Sequence, residues 1–294
     1  MNQAARERAP ASETLDQATD LPLDAHLHTD LSPDSNVLID VYAAEAAERG
    51  VAEIAITDHV DFLPGYAAYR YSTFEERERS VRQAAARWAE RGVAIRFGCE
   101  LTYERAVEDD VRDHLERHRY DYTIGSIHQG LDSVYHPRRV AAWCSGRSLG
   151  EIVRPYFDEV LAAARSGLFD TIGHLDMVKR YLYPLVKPAD LAAAPELYEP
   201  LLAALVESGT TLEVNTSGLR QPPAETYPSA VVVARFRELG GRAVTAGSDA
   251  HRADCFAYAL EAGYRVVADA GFEVVTFGRG AGRLHLSLPE RFST

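Results

Sequence analysis

Short apolar runs alternate with longer amphipathic segments along nearly all of this 294-residue chain. Strand-like runs are expected at 23–28, 51–57, 93–99, 121–127, 169–172, 211–214, 243–246 and 272–277. Helix-like segments are expected between them, at 36–49, 74–91, 104–118, 151–166, 191–208, 230–239 and 253–270. Several close on a glycine (Gly50, Gly92, Gly167, Gly209, Gly240), the residue that most easily adopts the left-handed turn after a helix. Strand–helix repeats of this kind build a parallel sheet with right-handed crossovers. Seven or eight of them in one domain's length imply an α/β barrel, closed or nearly so. No repeat, low-complexity run or linker divides the chain, so residues 21–294 are expected to form one domain. Residues 1–20 mix charges with Ala, Ser and Thr, lack an apolar signal core, and are expected to be a disordered tail. Residues 129–150 are less regular and long enough for a lid or pocket wall.

Barrels of this kind carry their chemistry at the C-terminal ends of their strands. Those ends hold His26 and His28, Asp58 and His59, Glu100, His128, His174 and Asp176, and Asp249 and His251. Six of the ten histidines stand there. In Asp24-Ala25-His26-Leu27-His28, a period of two puts Asp24, His26 and His28 on one side, where two imidazoles can share one ion. A single strand-end histidine would be read as a hydrogen-bonded structural residue. Six imidazoles and several carboxylates aimed at one mouth are costly to bury unless cations satisfy them. Imidazole plus carboxylate without thiolate suits Zn, Mn or Fe better than Mg or Ca. The ligands exceed what one four-coordinate ion needs, so two or three divalent ions are expected, with Glu100 suited to bridge. Two metals ~3.5–4 Å apart activate water and clamp an oxyanion, which fits in-line attack on phosphorus.

Composition narrows the partners. Forty-four acids against 31 bases give a net charge of −13, which disfavours nucleic acid and anionic lipid as bulk partners. A metal cluster can still reverse the potential locally for a small phosphorylated substrate. Cys99, Cys144 and Cys255 are isolated and odd in number, which argues against a disulfide framework or thiolate site and for a cytoplasmic protein. No apolar run reaches the ~18–20 residues of a membrane span. A monomer or small homo-oligomer is expected.

The order of these motifs resembles the polymerase and histidinol phosphatase (PHP) superfamily. The matching pieces are His26-Leu27-His28-Thr29, Thr57-Asp58-His59, Gly98-Cys99-Glu100, Gly125-Ser126-Ile127-His128, Gly173-His174 and Gly247-Ser248-Asp249-Ala250-His251. The stretches 121–128, 173–181 and 213–220 are most similar to its histidinol-phosphate phosphatase branch. The resemblance implies a distorted (β/α)7 barrel with a trinuclear metal site, in which His26, His28, Glu100 and Asp249 hold one ion. Glu100, His128 and His174 would hold a second, and His59 and His251 a third. Many members place a histidine in the loop after the first motif; this chain offers Asp34 instead.

The activity implied is hydrolysis of a phosphate monoester, with L-histidinol phosphate, an intermediate of histidine biosynthesis, as the first candidate. Lys179, Arg180 and Arg220 lie just beyond strand ends and are candidate phosphate cations, Arg180 first. Asp176 is a candidate proton donor or a support for a ligand histidine, and the latter is preferred. Asp24 and Asp58 are also read as supports. Glu213, Asn215 and Ser217 could meet the amine and imidazole of histidinol, or close backbone hydrogen bonds at the strand end. Two alternatives remain: a phosphatase of another small substrate, such as a nucleotide bisphosphate or sugar phosphate, and a non-catalytic metal-binding accessory domain.

Overall fold

The structure, a computed structural model, describes residues 20–128, 130, 132–278 and 282–292. The expected tail therefore lies, apart from Asp20, outside the described residues, as does residue 129 at the head of the irregular region. Seven parallel strands form a nearly closed barrel: β1 (Asp24–Leu27), β2 (Glu53–Ile56), β4 (Ala94–Thr102), β5 (Tyr122–Ser126), β6 (Thr171–Ile172), β7 (Thr211–Asn215) and β8 (Val244–Gly247), paired in that order. A further strand, β3 (His59–Val60), pairs with the upper part of β4. Helices surround the barrel, among them α1 (Ile39–Arg49), α2 (Phe74–Trp88), α3 (Glu108–Arg117), a short α4 (Val140–Cys144) in the irregular region, α5 (Leu149–Ser166) and α6 (Pro195–Ser208). Capping boxes start α2 (Thr73 with Glu76) and α5 (Ser148 with Glu151), each cap contributing about 1 kcal/mol.

The N-terminal part of the barrel interior is apolar. Leu23, Ala25, Ala55, Tyr122, Ile124 and Phe277 pack together there, with the Tyr122 and Phe277 rings 4.5 Å apart. Burial of each larger side chain contributes about 1.5–3 kcal/mol. The polar residues are left to the C-terminal mouth.

Four departures from the sequence reading have physical causes. The run at 272–277 does not join the barrel; β9 (Val274–Phe277) forms an antiparallel hairpin with β10 (Leu284–Ser287) and supplies Phe277 to the floor. The helix expected at 253–270 begins only at Leu260, because Ala257 and Ala259 adopt positive φ. His59 does not simply trail the second strand: β2 ends at Ile56, and Asp58 accepts from Thr29 N and Thr29 Oγ1 at 2.6 and 2.8 Å. The chain then rejoins the sheet as β3.

The fourth departure lies in β1, where period-two alternation fails. Asp24 pairs with Ile54 and Leu27 with Ile56, so three steps on one strand oppose two on the other. This bulge turns Ala25 and His26 both inward and sends Asp24 elsewhere. The Asp24 carboxylate accepts from Ser248 N (2.8 Å), Ser248 Oγ (2.6 Å) and Ala257 N (3.3 Å), closing the seam between β1 and β8. Across that seam an isolated bridge pairs Leu27 with Ala250, and His28 N donates to Ala250 O at 2.9 Å. Buried against β8, Asp24 is pushed up to about 6.

Candidate metal centre

Glu100 is the hub of the mouth. It is buried near the end of β4, opposite His59 of β3. Its Oε1 lies 2.8 Å from His174 Nε2 and 3.2 Å from His128 Nε2. Its Oε2 lies 2.9 Å from His59 Nδ1 and 3.4 Å from the Nε2 atoms of both His26 and His28. Five imidazoles from four segments thus surround one carboxylate. Burial pushes Glu100 up, but the rings of His128, His26 and His59 outweigh it and hold the carboxyl well below its usual range.

The sixth imidazole joins through two other carboxylates. His251 lies 3.4 Å from Asp249 Oδ1 and 3.2 Å from Asp34 Oδ2, and Asp34 Oδ2 lies 3.3 Å from His59 Nε2. Burial disfavours the Asp34 anion, yet His251 and His59 hold it well below the usual carboxylate range. His28 is displaced the other way: burial and the neighbouring His251 and His59 keep its ring neutral. All nine residues expected to ligate meet here. The donor atoms of eight of them fall into three overlapping groups, each within 4.8 Å: His26, His28 and Asp249; His59, Glu100 and His128; and His28, Asp34, His59 and His251. His174 stands outside these groups and joins through Glu100 Oε1.

The donor set fits divalent cations. His26 Nδ1 donates to Glu213 Oε1 at 2.6 Å, which in the neutral ring, the form that binds a cation, leaves Nε2 with a lone pair. That lone pair faces His28 Nε2 at 3.0 Å, with Asp249 Oδ1 at 3.8 and 3.6 Å from the two nitrogens. A carboxylate behind an imidazole is the usual support of a metal-ligating histidine.

The backbone is held in place around these ligands. His174 and Asp249 both have positive φ, 25° and 52°, which non-glycine residues keep only when their surroundings impose it. Glu213 Oε2 accepts from His174 N at 2.7 Å. Arg220 donates to Ser248 O (2.8 Å) and Asp249 O (2.7 Å), and Tyr42 Oη to Ala250 O (2.9 Å). Gly247 lets β8 approach: a Cβ there would lie 2.5 Å from His26 Cβ and 2.9 Å from Glu213 Oε1.

The residues read as substrate or phosphate contacts divide. Glu213, Asn215 and Ser217 are fully buried and bonded within the protein. Asn215 Nδ2 donates to Glu213 Oε2 (3.1 Å) and Asp249 Oδ2 (3.3 Å), while its Oδ1 accepts from Ser217 N and Oγ. Lys179 is buried between Asp176 Oδ2, at 2.8 Å, and Glu225, and it also donates to Thr226 O. Burial holds Asp176 up at about 6 despite Lys179. Arg180 is half-buried and close enough to Tyr227 to affect its hydroxyl, and its side chain has no ion pair or hydrogen bond among the described residues. Sequence reasoning missed Ser32, whose Oγ accepts from His59 N at 2.8 Å, and Arg77, which donates to His59 O at 3.1 Å. It also missed Thr102, although Thr102 shares a face of β4 with Glu100 by simple alternation.

A parallel barrel with a histidine–carboxylate cluster at its C-terminal mouth defines a class of metal-centre proteins, and residues 24–217 match the PHP domain family; the chain belongs to that family. Its similar relatives include a probable histidinol-phosphatase of Deinococcus radiodurans, 32% identical over 257 residues, covering 86% of this chain and 95% of the relative. The histidinol-phosphatase of Lactococcus lactis is 27% identical over 261 residues, covering 87% and 94%. Among solved structures, the Lactococcus lactis histidinol phosphate phosphatase, in complex with zinc, L-histidinol and phosphate, superposes with a TM-score of 0.76 at 25% identity, covering 87% of this chain and 96% of that one. A putative histidinol phosphatase of Listeria monocytogenes shares the fold, with a TM-score of 0.70 at 19% identity, covering 82% and 99%. No helix among the described residues is long and apolar enough to cross a membrane.

Proposed function

We propose that this chain is a metal-dependent phosphomonoesterase that hydrolyses L-histidinol phosphate to L-histidinol and phosphate. The observation that carries the proposal is the ring of five imidazoles around Glu100, in a chain whose similar relatives bear the name of that activity. We assign His26, His28, Glu100 and Asp249 to one ion, Glu100, His128 and His174 to a second, and His59, His251 and Asp34 to a third. Zinc accompanies the Lactococcus lactis enzyme, and the same donors suit manganese or iron. Bound ions of this kind supply activated water and neutralise phosphoryl charge.

The protein's own groups have separable tasks. Arg180 is the cation left available to grip the phosphoryl oxygens. Lys179 and Arg220 act as positioning residues, one held by Asp176 and Glu225, the other clamping the backbone of Asp249. Asp176 is a support through Lys179. Glu213, Asn215 and Ser217 orient His26, His174 and Asp249 and do not meet substrate. We take residues 21–294 as one domain and the protein as cytoplasmic, a monomer or small homo-oligomer without nucleic-acid or membrane partners. The charge of −13 and three cysteines that form no disulfide support this.

Phosphate release from a panel of monoesters by metal-loaded protein tests the assignment. L-histidinol phosphate should be turned over fastest. Equal or faster turnover of a sugar phosphate or nucleotide bisphosphate would move the substrate assignment. Loaded protein inert toward every monoester would favour a non-catalytic role.

A further inference from the structure

His128 has a support unlike that of His26. Its Nδ1 lies 2.8 Å from Thr102 Oγ1, and Thr102 Oγ1 lies 2.5 Å from Asp61 Oδ1. A hydroxyl has one proton, and a carboxylate only accepts, so Thr102 donates to Asp61. Thr102 Oγ1 is then the acceptor toward His128, and His128 must carry its proton on Nδ1. That choice leaves a lone pair on Nε2, the atom 3.2 Å from Glu100 Oε1. The other oxygen of Asp61 accepts from Ala68 N at 2.9 Å, so the carboxylate also ties down the loop after β3. Thr102 is 3% exposed, which shields this chain of bonds from competing water.

We infer that Asp61 and Thr102 are positioning residues which, through a carboxylate–hydroxyl–imidazole relay, fix the Nδ1-protonated tautomer of His128 and so ready its Nε2 for a metal ion. The inference rests on the metal-centre reading above. It differs from the direct carboxylate support of His26 in being interruptible at a single hydroxyl. Thr102→Val removes that hydroxyl at nearly constant shape, and Thr102→Ser restores it.

The test uses the full-length chain in metal-free and zinc-loaded forms. Zinc affinities are measured by chelator competition, and the His128 tautomer by ¹⁵N NMR of the ring, assigned with a His128 variant. Wild type should show His128 protonated on Nδ1. Thr102→Val should weaken one zinc site by about 10–100-fold, leave the others unchanged, and yield mixed His128 tautomers. Thr102→Ser should behave as wild type. Wild-type His128 protonated on Nε2, or Thr102→Val with every zinc affinity unchanged, would overturn the inference. The wild-type tautomer decides the matter even if Thr102→Val fails to fold. Wild type that binds no zinc at all would instead refute the metal-centre reading.

Discussion

The inner and outer parts of the histidine cluster use the same donor chemistry in opposite surroundings. His26 and His28 are fully buried, and the inner ligands are braced from behind by Glu213, Asn215, Arg220 and the close approach at Gly247. In the outer group, the Asp34 side chain is 47% exposed and that of His251 21%. Among the described residues, the Asp34 carboxylate is paired with the two imidazoles it faces. A ligand whose position is fixed before the ion arrives loses little freedom on binding, whereas an exposed loop carboxylate must be ordered by the ion itself. The inner group is therefore expected to bind tightly and the outer group to exchange with solution.

The most severe test removes the carboxylate common to both parts. Glu100→Gln should lower kcat/KM for a phosphate ester by at least about 10²–10³-fold, and a variant within tenfold of wild type would deny Glu100 its central place. Glu213→Gln keeps the shape but weakens the proton acceptor behind His26. It should weaken the innermost ion by about 10–100-fold in chelator competition; an unchanged affinity would mean that bracing does not separate inner from outer. Arg180→Ala should raise KM by about 10–100-fold, the range for losing a hydrogen bond to a charged group, with metal content intact. If KM and kcat both hold, Arg180 is a surface cation only.

A smaller effect must be separated from acid stripping of either group. Burial, with His118, Arg77 and Arg117 nearby, holds His114 down at about 3, below the 6.5 of an exposed ring. Between those values the unfolded chain binds a proton that the folded one refuses. The resulting stability is whole above pH about 6.5 and is lost as pH falls toward 3. In urea titrations of metal-free protein, His114→Gln should lose less stability than wild type between pH 7 and pH 4.5. An identical loss would place the acid sensitivity elsewhere.

Much of the inner site was legible because its residues stand at strand ends, where a barrel must deliver them. The strand-end placement of His26, His28, Glu100, His128, His174 and Asp249 follows from the alternation of apolar runs alone. Asp34 was visible only as a carboxylate standing where relatives carry a histidine. What could not be read depends on contacts between distant segments. The bulge that turns Asp24 away from His26 arises from the register of β1 against β2. The internal engagement of Glu213, Asn215 and Ser217 requires β1, β7 and β8 to be side by side. The support of His128 by Thr102 needs β4 and the end of β5 in contact. The irregular stretch gave no specific contact from sequence; the structure adds the short helix at Val140–Cys144 and ties Tyr135 Oη and Trp143 Nε1 to Ile152 O at 2.7 and 3.0 Å.

Metal stoichiometry of matched variants decides whether Glu100 is shared between ions. Elemental analysis after gel filtration should find that Asp34→Ala loses one ion from the outer group, while Glu100→Gln loses more than one, because Glu100 serves several ions at once. A Glu100→Gln protein that retains the full complement, or loses no more than Asp34→Ala does, would mean that Glu100 is not shared between ions.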